Sequence, residues 1–203
     1  MVNNTNIFED VIYEEISYCD NDEFAGGLVP TEIYYCPIKK IERLVTPMIY
    51  GSFESAGKIS QKILCVENYG FKKIHALVDT SELTSGLEGQ TGRKTSNSDL
   101  ELMILGTRAQ LIGFSRKTRQ IPLVFIVKDQ NEKHFVFGTL VSPAYVSSFD
   151  LKTGKKYEDE SGATIKLTAN TIIYEYTNEL PIIIPDPEPD EGDFDTDFQT
   201  DFD

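Results

Sequence analysis

The segment Ile121–Val127 constrains the fold more than any other part of the chain. Six of its seven side chains are large and apolar and the seventh is Pro122, whereas a strand with one wet face alternates apolar and polar residues. Such a run predicts a central strand that is buried on both faces. Pro122 has no amide hydrogen to donate, and it is tolerated because it lies where the strand opens.

The residues on either side of this run predict an antiparallel sheet. Asp129–Glu132 supplies a turn, and Lys133–Val141 then returns as the hairpin partner, with His134 on its exposed side. Before the run, the segment Ser98–Leu105 begins by alternating polar and apolar residues, as a strand with one wet face would, and Gly106 ends it. Beyond a loop through Pro143 and Phe149, a last hairpin is predicted about Asn170, with strands 163–167 and 171–176.

One short helix is predicted between the strands 100–105 and 121–127. Thr107 can cap its amino end, with Gln110 three residues on. One side is apolar and the other is basic, and most of the basic residues lie near the carboxyl end, where the helix dipole favours them. The apolar residues are Ala109, Leu111, Ile112 and Phe114, and the basic ones are Arg108, Arg116, Lys117 and Arg119.

The first half of the chain shows weaker strand patterns of β-branched and aromatic residues between breakers. They lie at Val11–Cys19, Glu32–Ile38, Ile59–Val66 and Ile74–Val78. The whole pattern predicts a mainly β fold with one flanking helix, in a single domain over residues 1–180.

The stretch Ser81–Ser98 is polar and has no hydrophobic period, so it predicts a long mobile loop near 81–98. Loops of this length are usually functional or disordered, and contact with a neighbouring subunit is the preferred interpretation. Its glycines do not have the spacing of a phosphate-binding loop. The candidate subunit-contact residues are Gly86, Gly89, Gly92, Arg93 and Lys94.

The carboxyl-terminal segment 181–203 is a proline- and aspartate-rich tail. The chain has a net charge of −14, and Asp186–Asp203 holds nine acidic and no basic residues, which leaves −5 for the remainder. An acidic body argues against tight DNA binding, because nucleic-acid binders present basic faces. The prolines predict a stiff spacer that holds the tail away from the body.

Phe194, Phe198 and Phe202 recur every four residues among the acids of this tail. Two interpretations stay open. The tail is disordered and solvating, or its three phenylalanines line up on binding and anchor in an apolar groove of a partner with basic edges.

No pattern of catalytic or ligand residues stands out, so we expect no enzymatic activity, no cofactor and no metal. His75 and His134 lie on predicted strands without a nucleophile motif, and the acidic pairs are typical of a solvated surface. Cys19, Cys36 and Cys65 occupy separate segments and predict reduced, buried thiols. The start has no secretory pattern and no segment is long enough to span a membrane, so we expect a cytosol-like compartment and no membrane partner.

The region 98–176 resembles tail-tube-like and ring proteins of phages that infect Bacteroidetes, including the crAss-like group. The resemblance rests on the spacing of several short segments over rather under half the chain. The chain departs from that pattern at the turn, which has Asn131-Glu132 where Asn-Gly is usual, and in its acidic tail. The matching segments are 100–106, Thr107-Arg108, 121–129, Phe137-Gly138, Ser142-Pro143-Ala144, Lys152-Thr153-Gly154 and the acidic stretch ending at Ser161-Gly162.

This resemblance implies an antiparallel β-sandwich or β-barrel of the tail-tube type with one short flanking α-helix. It implies a structural protein of the virion tail or neck, assembled in the host cytoplasm, whose copies form a six-fold or twelve-fold ring or a tube. Other tail, neck or portal proteins are the further partners, and DNA is expected only in transit through the channel. The alternative is an adaptor, decoration or fibre-attachment protein that binds its partner through Phe194, Phe198 and Phe202.

Overall fold

The computed structural model describes residues 14–16, 25–156 and 159–182. The fold is mainly β, as predicted, and its sheets form a sandwich-like arrangement that does not close into a barrel. The helices are α1 (Phe53–Gly57) and α2 (Ala109–Thr118). The strands are β1 (Leu28–Pro37), β2 (Ile41–Arg43), β3 (Lys58–Ile59), β4 (Leu64–Cys65), β5 (Lys72–Ile74), β6 (Glu82–Gln90), β7 (Arg93–Leu105), β8 (Leu123–Asp129), β9 (His134–Phe137), β10 (Tyr145–Lys152), β11 (Gly162–Ala169) and β12 (Tyr174–Tyr176).

A six-stranded sheet has the order β3-β12-β9-β8-β1-β5, and a small two-stranded sheet joins β2 to β4. The prediction of a central buried strand is confirmed, because all five residues Leu123–Val127 are 0% exposed and β8 pairs with β1 and β9. Pro122 precedes the strand, and its carbonyl accepts a hydrogen bond from the Ile38 amide at 3.0 Å. Because Pro122 lies outside β8, its missing amide hydrogen removes no hydrogen bond from the pairing of β8 with its neighbours.

A four-stranded antiparallel sheet has the order β10-β11-β7-β6. The alternation predicted before Gly106 is present in β7, where Ser98, Leu100 and Leu102 are buried while Asp99 between them is exposed. A strand places alternate side chains on opposite faces. The buried face of β7 packs towards the six-stranded sheet, since Leu100 and Leu102 belong to the same core cluster as Phe125.

Two apolar cores lie on the two sides of the six-stranded sheet. The first fills the space between the sheets, where Phe125 and Phe137 meet Leu100, Leu102 and other residues of the smaller sheet. The second lies on the far side of β8 and β1, under the connections that carry α1 and the short strands. Helix α2 closes one edge of the first core through Phe114, which is half-buried.

The stretch Ser81–Ser98 is not a loop, and that prediction is wrong. It forms the long hairpin β6–β7, with Thr91 and Gly92 at the turn. Its sequence has no hydrophobic period because both faces of the outer half are exposed, so the pattern that identifies a half-buried strand is missing.

Four further predictions in the second half differ from the structure. The loop through Phe149 is the strand β10, which pairs with β11. The final hairpin about Asn170 is absent, because β11 and β12 belong to different sheets. Helix α2 is present, but its N-cap residue is Arg108, without a side-chain cap, instead of Thr107. His134 is half-buried on β9 and not on an exposed side.

The first-half predictions are confirmed in part. Glu32–Ile38 lies mostly in β1. Ile59–Val66 contains the last residue of β3 and the two residues of β4, and Ile74–Val78 overlaps β5 by one residue. Of Val11–Cys19 the structure describes residues 14–16, which are not a strand. Short strands at a sheet's margin carry few residues, so their period is too brief to set their limits.

Candidate interaction surfaces

The hairpin β6–β7 extends beyond the sheet to which it belongs. Strand β11 pairs with β7 only from Ser98 to Leu105, whereas β6 continues beside β7 from Gly86↔Asn97 to Gln90↔Arg93. The outer half of the hairpin is therefore a two-stranded ribbon. Such ribbons are marginal in water unless something packs on them.

Four of the five candidate residues of the predicted contact loop come together at the end of this ribbon, whereas Gly86 lies at its base, paired with Asn97. Gly89 pairs with Lys94, and Arg93 pairs with Gln90. Gly92 has φ of +80° and Gly89 of +114°, values that L side chains rarely adopt, and a Cβ on Gly89 would lie 2.6 Å from the Arg93 carbonyl oxygen. These glycines therefore shape the tip, and both basic side chains are exposed on it.

Both outer strands of the four-stranded sheet have an open edge. Among the described residues, no strand pairs with β6 opposite β7, or with β10 opposite β11. Strand β6 is nine residues long and has neither lysine nor proline, two of the devices that protect natural edges. The sheet therefore offers backbone donors and acceptors on both sides.

A groove lies beside α2, and we call it the α2 groove. It consists of two adjoining recesses of about 480 and 430 Å³ that share Tyr35, Gln110 and Phe114. The rings of Tyr35 and Phe114 meet edge to face, with centroids 5.4 Å apart. Tyr69 and Ile121 line its outer recess, so the floor is apolar and aromatic. Burial raises the pKa of the Tyr35 hydroxyl, which is consistent with a partly dry floor.

Basic side chains surround the α2 groove. Lys117 lines one recess, and Arg108, Lys73 and His75 line the other. The ammonium groups of Lys40 and Lys72 lie 5.2 and 5.8 Å from the centroid of the Tyr69 ring. Lys73 pairs with Glu32 at 3.2 Å, but Lys40, Lys72, Lys117 and Arg108 form no ion pair with the described carboxylates.

Sequence reasoning did not find the α2 groove, because its parts come from segments far apart in the chain. The basic end of the predicted helix was the one available signal. Phe194, Phe198 and Phe202, the other predicted binding residues, lie outside the described residues.

The structure also brings two cysteines together. The Cys36 thiol donates a hydrogen bond to the Pro37 carbonyl at 3.5 Å. Its interaction with the neighbouring Cys65 thiol, together with burial, raises the pKa of Cys36, and the same interaction lowers the pKa of Cys65. The prediction of reduced, buried thiols is confirmed for Cys36 and in part for Cys65, which is half-buried, and Cys19 lies outside the described residues. Their separation in sequence gave no sign of this contact.

Residues 14–16, 25–156 and 159–182 contain no group of three or more His, Cys, Asp or Glu side chains that could hold a metal ion. Within the same ranges, neither helix has the length and apolar character needed to cross a bilayer.

Comparison with known proteins gives a weak likeness. No family model matches the chain, and no curated protein matches it. A chain from the solved structure "Virion of native gene transfer agent (GTA) particle" is similar over 53% of this chain and 89% of that chain, with 12% identity and a TM-score of 0.38. The likeness is to a virion component, and at this level it does not establish a shared fold or test the predictions of host group, ring or tube.

Proposed function

We propose that this protein is a virion structural subunit of the tail or neck, which assembles with its own copies into a ring or tube that passes the genome. The observation that carries the proposal is the β6–β7 hairpin, whose outer half projects beyond the sheet. The resemblance of residues 98–176 to phage tail-tube and ring proteins supports it independently.

The projecting hairpin needs a neighbour for its stability. Its outer half, Gly86–Asn97, is nearly all exposed, and Leu87 is 63% exposed. An isolated two-stranded ribbon buries too little apolar surface to offset its conformational entropy. A second subunit packed against the ribbon supplies that burial, with Arg93 and Lys94 at the contact.

The open edges of the four-stranded sheet supply the second contact. A long open edge such as β6, whose only charged residues are Glu82 and Glu88, can pair with other chains. When β6 of one subunit lies against β10 of the next, the same two edges are used all round a ring, and closure leaves neither edge of the four-stranded sheet free. This heterologous arrangement gives a ring or a stack of rings, according to whether the rotation closes.

The proposed channel passes DNA without binding it. The chain outside residues 186–203 carries a net charge of −5, and such a wall repels phosphate weakly. The proposal assigns no reaction, cofactor or metal to the protein.

Negative-stain electron microscopy with mass determination of the full-length protein, over a range of concentrations, tests this function. We expect annular or tubular particles with a central hole, and the double variant R93E/K94E should shift them towards monomer. The control K39E/K133E makes the same charge change on exposed side chains away from the hairpin and should assemble normally.

A strictly monomeric wild-type protein at every concentration would contradict self-assembly. It would favour the alternative, an adaptor that holds its partner through Phe194, Phe198 and Phe202. Assembly that is equally weakened by both double variants would show a general charge effect and would remove the hairpin from the contact.

A further inference from the structure

The described chain ends at the margin of the α2 groove. The Phe71 amide donates a hydrogen bond of 2.9 Å to the Pro181 carbonyl, and Phe71 and Ile182 form a parallel bridge. Phe71 lies two residues after Tyr69, which lines the groove, and directly before β5. A parallel bridge gives both segments the same direction, so the chain at Ile182 is heading along β5 towards Lys72 and Lys73.

Strand β5 is the last strand of the six-stranded sheet, and its outer edge meets no other described strand. A segment leaving Ile182 in this direction therefore meets an open strand edge first and the basic rim of the groove next. The 21 residues of 183–203 span at most roughly 70 Å when extended, which is ample for a groove beside a ten-residue helix.

The chemistry of this tail matches the α2 groove. The groove has an aromatic floor and a rim of cations that lack described carboxylate partners, and the tail has phenylalanines set among nine acids and no base. Phenylalanine rings suit the floor formed by Tyr35, Phe114 and Ile121, and the flanking aspartates suit Lys40, Lys72, Lys117 and Arg108.

We propose that the carboxyl-terminal repeat around Phe194, Phe198 and Phe202 docks in the α2 groove of its own subunit. The place at which the tail leaves the fold favours its own subunit over a second copy, because the tail starts at the groove and a tethered segment binds at high effective concentration. The docked tail covers the β5 edge and neutralises the basic rim. This inference does not depend on ring assembly.

Photo-crosslinking of the full-length protein tests the docking. Benzoyl-phenylalanine replaces Phe198, and mass spectrometry locates the crosslinks in a mixture of ¹⁴N- and ¹⁵N-labelled protein. We expect crosslinks within one chain, to the peptides that carry Tyr35, Tyr69 or 113–121. The same probe in place of Phe53, which is 39% exposed on α1, shows the background of non-specific crosslinking.

A matched pair of charge variants separates binding from chance contact. K72E/K117E should lower the crosslink yield at least tenfold, whereas K133E/K152E changes the net charge equally on exposed side chains elsewhere and should stay within twofold. Circular dichroism confirms that each variant is folded.

Crosslinks scattered over the surface, or equal yields from the two double variants, would overturn the docking. Crosslinks to the same groove residues but between ¹⁴N and ¹⁵N chains would show that the tail of a second copy occupies the groove, and would refute docking within one subunit. None of these results depends on whether rings form, so they are distinguishable from the test of assembly.

Discussion

Tyr176 should be critical to the stability of the segment that leads to the tail. Its side chain is 3% exposed at the end of β12. The hydroxyl accepts a hydrogen bond from the Ile63 amide at 3.2 Å and donates one to the Glu179 carbonyl at 3.0 Å. One buried oxygen thus connects the loop before β4 with the residues that precede Pro181. Burial raises the pKa of this hydroxyl.

Replacing Tyr176 by phenylalanine keeps the ring and removes both bonds. The Ile63 amide belongs to a residue that is 1% exposed, so it becomes an unsatisfied buried donor at a cost of about 1–3 kcal/mol. Glu179 is exposed and its carbonyl gains water instead, so losing that bond costs only about 0.5 kcal/mol. We therefore expect the free energy of unfolding to fall by about 1.5–3.5 kcal/mol.

Urea unfolding followed by circular dichroism measures this loss, with an unchanged m-value and a lower midpoint. Tyr145→Phe is the control, because that ring is 47% exposed, and it should change the free energy of unfolding by less than about 0.5 kcal/mol. Equal stability of Tyr176→Phe and Tyr145→Phe would refute the reasoning, since it would mean that the Ile63 amide finds another acceptor.

Two further predictions concern β9 and the residue that follows it. Burial and the charge of Lys128 lower the pKa of His134 below 6.5. The unfolded chain therefore binds the proton more tightly than the folded one, and the free energy of unfolding falls as the pH drops below about 6.5. His134→Gln should lose that part of the pH dependence, as measured by urea titrations at about pH 7.5 and 5. Gly138 has φ of +87°, and a Cβ there would lie 2.9 Å from the Ala144 amide nitrogen. Gly138→Ala should therefore lower the free energy of unfolding by about 2 kcal/mol or more. Gly26→Ala is the control and should not lower it, because a Cβ at Gly26 has open space.

Elements whose sequence carries its own period were predicted well. Leu123–Val127 is apolar throughout because both faces of β8 are covered, and Leu100 and Leu102 alternate with polar residues because β7 has one wet face. The apolar stripe predicted for α2 is confirmed only in part, because Leu111 is buried and Phe114 is half-buried, whereas Ala109 and Ile112 are exposed. In each case the packing of the element acts on neighbouring residues, so a short window contains the information.

Elements defined by distant partners were not predicted. The outer ribbon of β6–β7 has no buried face, so its strand character depends on cross-strand pairing such as Gly86↔Asn97. Between β11 and β12, where the chain passes from one sheet to the other, the Thr171 carbonyl accepts a hydrogen bond of 2.6 Å from the buried hydroxyl of Ser98, which is distant in sequence. The groove that unites Tyr35, Tyr69 and Phe114 arises only when β1, the segment before β5 and α2 come together.

The charge of the chain has a different meaning once the fold is known. In sequence, the acidic tail and the basic end of α2 are some 70 residues apart, so the sequence pattern points to a basic-edged groove on another protein. In the fold, Ile182 bridges to Phe71 beside that basic rim, so the tail leaves the fold there, whereas the open edges β6 and β10 belong to the other sheet. Self-assembly and tail docking therefore use separate surfaces, and charge reversal at Lys72 and Lys117 should release the tail while leaving the particles intact.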